Sequence, residues 1–183
     1  VDTEDPLLRF TVGVSYAMIA LGSNVGEREA HLDQAVAALR ARVEVQRVSS
    51  YYETAPMYVT DQPAFINAAV LASTDLSPLG LLRLLKEIEA SIGRQARERY
   101  GPREVDLDLI SYGALQYRYI EKGVTRLTVP HPKIGERRFV LAPLAEIAGN
   151  ATIPGMGQIE ELLKQTNEQA DSVVKVRDAV FHV

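Results

Sequence analysis

No cysteine occurs among the 183 residues, and histidine occurs only three times. The first absence excludes disulfides and thiolate metal ligands and is compatible with a reducing compartment. His31, His131 and His182 lack the spacing of a zinc site, which argues against a zinc enzyme. No apolar run approaches the length of a membrane span. The opening stretch VDTEDPLLRF (1–10) has neither the basic start nor the apolar core of a signal peptide, so secretion is unsupported and a cytoplasmic location is expected. An excess of positive charge is missing too: a formal net charge of −4 argues against a general nucleic-acid binder. Neither GxxxxGK[ST] nor GxGxxG is present, and the nearest glycine-rich stretch, LGSNVGERE (21–29), has no Lys-Ser/Thr after its second glycine. A nucleotide, if one binds, must be held by side chains, chiefly arginines, and by metal ions. No nucleophile elbow is present.

What is there suffices for one well-buried core: the chain is 46% hydrophobic and too short for two comfortable domains. A first residue of valine suggests a processed or excised fragment, with residues 1–14 as a tail or linker, 15–166 as the body and 167–183 as a weakly patterned extension. Tyr16 to Leu21 reads as a strand ending at the turn residues Gly22, Ser23 and Asn24. A helix is expected from about Glu27 to Arg42, then strands over Val43–Glu53 and Phe65–Ala72, joined by a loop containing Pro56 and Pro63. Ser77 caps a second helix, Pro78 suits its first turn and Gly93 its exit. A strand over Val105–Tyr112 follows, then a turn near Gly113, a variable connection and a short strand, Arg126–Val129. Helices over about Arg137–Ala148 and Gln158–Leu163 finish the body, and Val173, Val174 and Val176 offer an edge strand. Two consecutive strands joined only by a loop favour an antiparallel pair, hence an α+β fold.

Chemistry concentrates in RYGPREVDLDLI (99–110). Alternate strand residues face one way, so Asp106 and Asp108 share a side while Val105, Leu107 and Leu109 take the other. Adjacent carboxylates suit a hard cation, above all Mg²⁺. Arg94, Arg97, Arg99 and Arg103 lie just upstream and offer planar forks to phosphate oxygens. Together they point to a magnesium-dependent phosphoryl-type transferase, although a solvated acidic pair beside a solvated loop has the same spelling. Gly93 and Gly101 flank the arginine segment, which is expected to be mobile without ligand and to close over it. Phe65 and Asn67 share a strand face and could stack on and pair with a planar heterocycle; their spacing alone favours a core ring beside a surface amide. His131, between two prolines, could hydrogen-bond a phosphate or cap a turn.

Five separated blocks, ALGSNVG (20–26), SSYYETAPM (49–57), DQPAFINAAV (61–70), RYGPREVDLDLI (99–110) and RLTVPHPKIGERRFVLAPLAEIA (126–148), occur in the order of one family that they resemble: the 6-hydroxymethyl-7,8-dihydropterin pyrophosphokinases of folate biosynthesis. The resemblance implies a three-layer α/β/α sandwich on an antiparallel ferredoxin-like sheet. It implies transfer of pyrophosphate from ATP to the pterin's hydroxymethyl group with release of AMP. Asp106 and Asp108 then hold two Mg²⁺ ions, and Arg94 and Arg103 join them as catalytic residues. Thr54, Met57, Phe65, Asn67, Tyr100 and Phe139 fall on the pterin site, with Phe65 and Phe139 sandwiching the ring. Glu89, Arg94, Arg99, Arg103, Thr128, His131 and Arg137 fall on the ATP site. Fusion to, or association with, other folate-pathway enzymes is the partner arrangement this allows, with neither nucleic acid nor membrane. Three positions depart from the family pattern: Tyr100 where tryptophan is common, Ala96 where arginine is common and Pro132 where tyrosine often follows the histidine. Two other readings are a different Asp-x-Asp nucleotidyl or glycosyl transferase and a non-catalytic ferredoxin-like RNA-binding module, which needs exposed sheet aromatics and a basic face.

Overall fold

Strand β1 (Ser15–Ser23) lies in the interior of the main sheet, paired on both edges, with the strand that carries Asp106 and Asp108 as one neighbour. The computed structural model describes residues 13–56, 58, 60–93 and 102–179. After β1 come α1 (Arg28–Arg40), β2 (Glu44–Val48), β3 (Tyr51–Thr54), β4 (Phe65–Thr74), α2 (Pro78–Ser91) and β5 (Asp106–Tyr112). Then follow β6 (Tyr117–Glu121), β7 (Val124–Val129), α3 (Arg138–Ala148), β8 (Thr152–Ile153), β9 (Gly157–Gln158), α4 (Ile159–Lys164) and β10 (Val173–Arg177). The main sheet runs β10-β3-β4-β1-β5, with β2 also on β4, and every pairing in it is antiparallel. This is the mixed α+β arrangement expected.

The stretch Val43–Glu53 is two strands rather than one, both lying along the same edge of β4. The break falls at Ser49 and Ser50. Ser49 keeps the ladder closed there: its backbone N–H donates to the Ala69 carbonyl (2.9 Å), while its Oγ accepts from the Ala69 N–H (2.8 Å). The connection after Gly113 also has structure of its own, the hairpin β6-β7, turned by Lys122 and Gly123 at φ 49° and 76°. The valines of the C-terminal segment form β10, as anticipated, against β3.

Helix α2 shows how closely the local chemistry dictates an element. Ser77 Oγ accepts from Gly80 N at 3.0 Å, satisfying an amide that the helix leaves without a partner, and Pro78 starts the first turn. Leu81, Leu84, Leu85 and Ile88 form its buried stripe, each contributing about 1.5–3 kcal/mol on leaving water. They join the core beneath α1 and α2, with Ile66, Ala68 and Val70 of β4 and Leu107 and Leu109 of β5. The opposite sheet face supplies Ala20, Ala69 and Ile110 to a second core under α3 and α4. Helices therefore cover both faces. Among the described residues, no helix is long and apolar enough to cross a membrane.

Candidate active site

A cavity of about 390 Å³ opens on the α3 side of the sheet. Its floor is a row of paired residues. Asp106 on β5 registers with Gly22 on β1, Gly22 with Asn67 on β4, and Asn67 with Tyr52 on β3. The next row sets Asp108 beside Ala20 and Ala20 beside Ala69. Small residues on β1 thus leave room between an acidic wall and an aromatic-and-amide wall. Asp106, Asp108, Phe65 and Asn67 all line the space, so alternation assigned their faces correctly.

On the amide wall, Asn67 Nδ2 donates to Thr54 Oγ1 at 2.5 Å, which fixes the orientation of the Asn67 amide. A Cβ on Gly22 would meet Asn67 Oδ1 at 2.7 Å. Across the cavity, Asp108 is pushed up to about 7 by burial and by the neighbouring Asp106 charge, against the opposing pull of Lys86 and Arg137. Such a pair is the kind of anionic site that a divalent cation relieves. Among the described residues no cluster of three or more His, Asp or Glu surrounds it.

Cations come from the start of α3 and the segment before it. Arg137 lines the cavity although only 8% exposed, and its Nε meets no hydrogen-bond partner among the described residues. Its guanidinium lies 5.8 Å from the Phe139 ring centroid and 5.6 Å from that of Tyr58. His131 is pushed down to about 4 by burial and by Arg137, so the ring is neutral at physiological pH. Its Nδ1 accepts from Lys133 N at 3.2 Å, which puts the proton on Nε2. A neutral donor and a buried cation are both suited to phosphate oxygens.

Thr54, Phe65, Asn67, Arg103, Asp106, Asp108, His131, Arg137 and Phe139 of the expected site residues line this one cavity. Thr128 lies on β7 and Glu89 on α2, and neither is part of the lining. Glu89 is buried, accepts from the Leu107 N–H at 2.8 Å and pairs with Lys86 at 3.3 Å. Met57, Arg94, Arg99 and Tyr100 lie outside the described residues, as do Ala96, Arg97 and the expected closing movement of their segment.

Sequence reasoning missed Tyr58, Lys86 and Lys133, which also line the cavity. Tyr58 has a left-handed φ of 72°, costly for a large side chain, and is held by its hydroxyl on Glu136 Oε1 (2.8 Å) and by Lys133 Nζ 4.7 Å from its ring. Asn24, read as a turn residue, is 1% exposed and braces the site. Its Oδ1 accepts from Arg103 N (2.7 Å), and its Nδ2 donates to Gln62 Oε1 and Pro63 O, both at 3.0 Å. Its partners lie far along the chain, so no local pattern carried that signal.

A polar cavity on an antiparallel sheet that sets an acidic pair against a buried arginine suits an enzyme that handles phosphorylated groups. Residues 18–149 match the 7,8-dihydro-6-hydroxymethylpterin-pyrophosphokinase (HPPK) family. The chain belongs to this family, the pyrophosphokinases of folate synthesis. It is 50% identical over 133 residues to the 2-amino-4-hydroxy-6-hydroxymethyldihydropteridine pyrophosphokinase of Bacillus subtilis, covering 72% of this chain and 77% of that one. It is 49% identical over 135 residues to the mitochondrial folate synthesis bifunctional protein of Pisum sativum, covering 73% of this chain but only a quarter (25%) of that one. The fold is shared with a Plasmodium falciparum HPPK-DHPS crystal structure at a TM-score of 0.73 and 12% identity, over 92% of this chain and 48% of that one.

Proposed function

We propose that this chain transfers pyrophosphate from ATP to the hydroxymethyl group of 6-hydroxymethyl-7,8-dihydropterin and releases AMP. The observation that carries the proposal is the single cavity in which Phe65, Asn67 and Phe139 stand across small β1 residues from Asp106 and Asp108. Phe65 and Phe139 stack on the pterin ring, and Asn67, oriented by Thr54, reads its donor and acceptor edge. Arg137, His131 and Arg103 face the nucleotide phosphates, joined by Arg94 and Arg99 from the neighbouring segment. The oxygen of the hydroxymethyl group forms a bond to the β-phosphorus, and the bond from that phosphorus to the oxygen bridging it to the α-phosphate breaks. AMP departs with that electron pair, and the proton of the hydroxymethyl group is released to water.

Asp106 and Asp108 would hold two Mg²⁺ ions, which when bound supply neutralising charge on the transferred phosphates. The raised Asp108 supports this: burial first, and then the Asp106 charge, disfavour its anion, and a bound cation would offset both. The residues' own contribution is placement: they set alcohol and phosphorus within one shielded space, where orientation alone lowers the barrier. Glu89 supports the acidic strand from behind through Leu107 rather than by facing the cavity. Tyr100 and Met57 complete the pterin site in this reading, and Thr128 the nucleotide site.

The β-α-β-β-α-β order of β1 to β5, taking β2 and β3 as one interrupted strand, supports a ferredoxin-like ancestry, and the helices on both faces support a three-layer sandwich. Association or fusion with another folate-synthesis enzyme is supported by the bifunctional relatives. A cytoplasmic setting, from the sequence reading, is testable by cell fractionation. The deciding experiment is incubation with Mg²⁺, ATP and the hydroxymethyl-dihydropterin. AMP as product supports the proposal; ADP or free pyrophosphate replaces it with kinase or nucleotidyl transfer.

A further inference from the structure

The family match ends at Gly149, yet the chain beyond it returns to the entry of α3, beside the cavity-lining Arg137. A 3-10 turn, Asn167–Ser172, sets Gln169 against the entry to α3. Gln169 Oε1 accepts from the Arg138 backbone N–H at 3.2 Å, and its Nε2 donates to the Glu136 carbonyl at 2.9 Å. One side-chain amide therefore grips the backbone on both sides of Arg137. That residue begins α3 with no cap from its own side chain, so Gln169 supplies from a distance the acceptor that the helix entry lacks.

The grip matters because of what Arg137 is. Its guanidinium is buried on the cavity wall with Nε unpartnered among the described residues. The direction of such a side chain is set by the path of its backbone and by the Tyr58 and Phe139 rings beside it. The turn carrying Gln169 is itself tied down on both sides. Ser172 Oγ donates to the Gln169 carbonyl at 2.7 Å, and β10 follows at once on β3, with Val173 opposite Thr54. At its far end Arg177 bonds Glu29 at 3.2 Å and Asp33, with its guanidinium 3.9 Å from the Tyr51 ring centroid.

We propose that Gln169 is a positioning residue for the reaction: it fixes the direction of Arg137 toward the nucleotide phosphates, and residues 166–177 are the strap that carries it. The proposal rests on the functional reading above, which assigns Arg137 to ATP. A helix cap alone would lower stability without regard to Arg137, whereas positioning couples the two residues. A double-mutant cycle separates these. Gln169→Ala is expected to lower kcat/KM for ATP about tenfold in the wild-type background, the scale of one or two lost hydrogen bonds, and less than about twofold beside Arg137→Met. Gln169→Glu keeps the acceptor for Arg138 and loses the donor to Glu136, so its loss is intermediate; it also carries the cycle if the alanine variant fails to fold. Titration with Mg²⁺ and a non-hydrolysable ATP analogue should repeat the pattern. Equal losses in both backgrounds, or none in wild type, overturn the positioning role while leaving AMP formation intact. A wild-type protein that binds no ATP analogue overturns both readings.

Discussion

Replacing Gly22 with alanine adds one methyl group where the acidic and amide walls meet. That methyl would stand 2.7 Å from Asn67 Oδ1 and 3.6 Å from Phe65 Cδ1. Asn67 cannot simply swing aside, because its Nδ2 is bonded to Thr54 Oγ1 and the residue is 6% exposed. Two effects on stability oppose each other. Alanine restricts the unfolded chain and so gains about 0.4–1 kcal/mol. Overpacking a tight site costs about 1–3 kcal/mol, which wins. The net loss should be about 1–2 kcal/mol, readable as a fall of a few degrees in Tm. Function should suffer more selectively: displacing the amide removes one or two hydrogen bonds to the pterin edge, about tenfold or more in affinity. Binding of a pterin analogue, followed by its fluorescence, and of an ATP analogue, followed by calorimetry, give the two readouts. A folded variant that binds the pterin as wild type does, in either order of addition, would refute the role given to Asn67.

Asp108→Ala should lower AMP formation by at least ~10²-fold, the scale of losing one preorganised electrostatic element, and near-normal turnover by a folded variant would remove that carboxylate from the reaction. In the ligand-free protein Asp108 contributes stability that is lost as pH rises. Asp108 holds its proton to about 7 in the folded state against an ordinary value of 3.8, so between those values the folded state binds more protons than the unfolded one. Asp108→Asn should therefore make stability climb more steeply with pH between those values than it does in wild type, in urea denaturation, and an unchanged slope would refute the assignment. His131 acts in the opposite sense: it is pushed down to about 4, and its contribution is lost as pH falls from 6.5 toward that value. His131→Gln should therefore soften the acid limb of the same profile. Ser77→Ala removes the α2 cap and should cost about 1 kcal/mol in urea denaturation while leaving both substrate KM values alone.

Much of the site was legible because alternation on a strand is a rigid rule. It separated Asp106 and Asp108 from Leu107 and Leu109, and Phe65 and Asn67 from Ile66 and Ala68. Gly22 and Ser23 read as turn residues, yet they continue β1, and the small same-face residues Ala20 and Gly22 leave the hollow. The boundary misses have local causes. Val43–Glu53 has strand composition throughout, so nothing in its pattern announced that Ser49 would interrupt it. The β6-β7 hairpin turns on Lys122 and Gly123, a weaker signal than Asn-Gly. Contacts such as Asn24 with Arg103, or Gln169 with the entry of α3, join distant segments, and neither periodicity nor capping rules reach that far.

The strand that bears the acidic pair is the outermost of its sheet. A bare margin of that kind invites pairing with another molecule. Here the Leu107 amide already donates to Glu89, and the Ile110 carbonyl already accepts from the His131 backbone N–H at 2.8 Å. A second polypeptide would have to dislodge a buried carboxylate and a neighbouring loop before it could extend the sheet. At those two positions the border nearest the chemistry is already occupied by the protein's own groups.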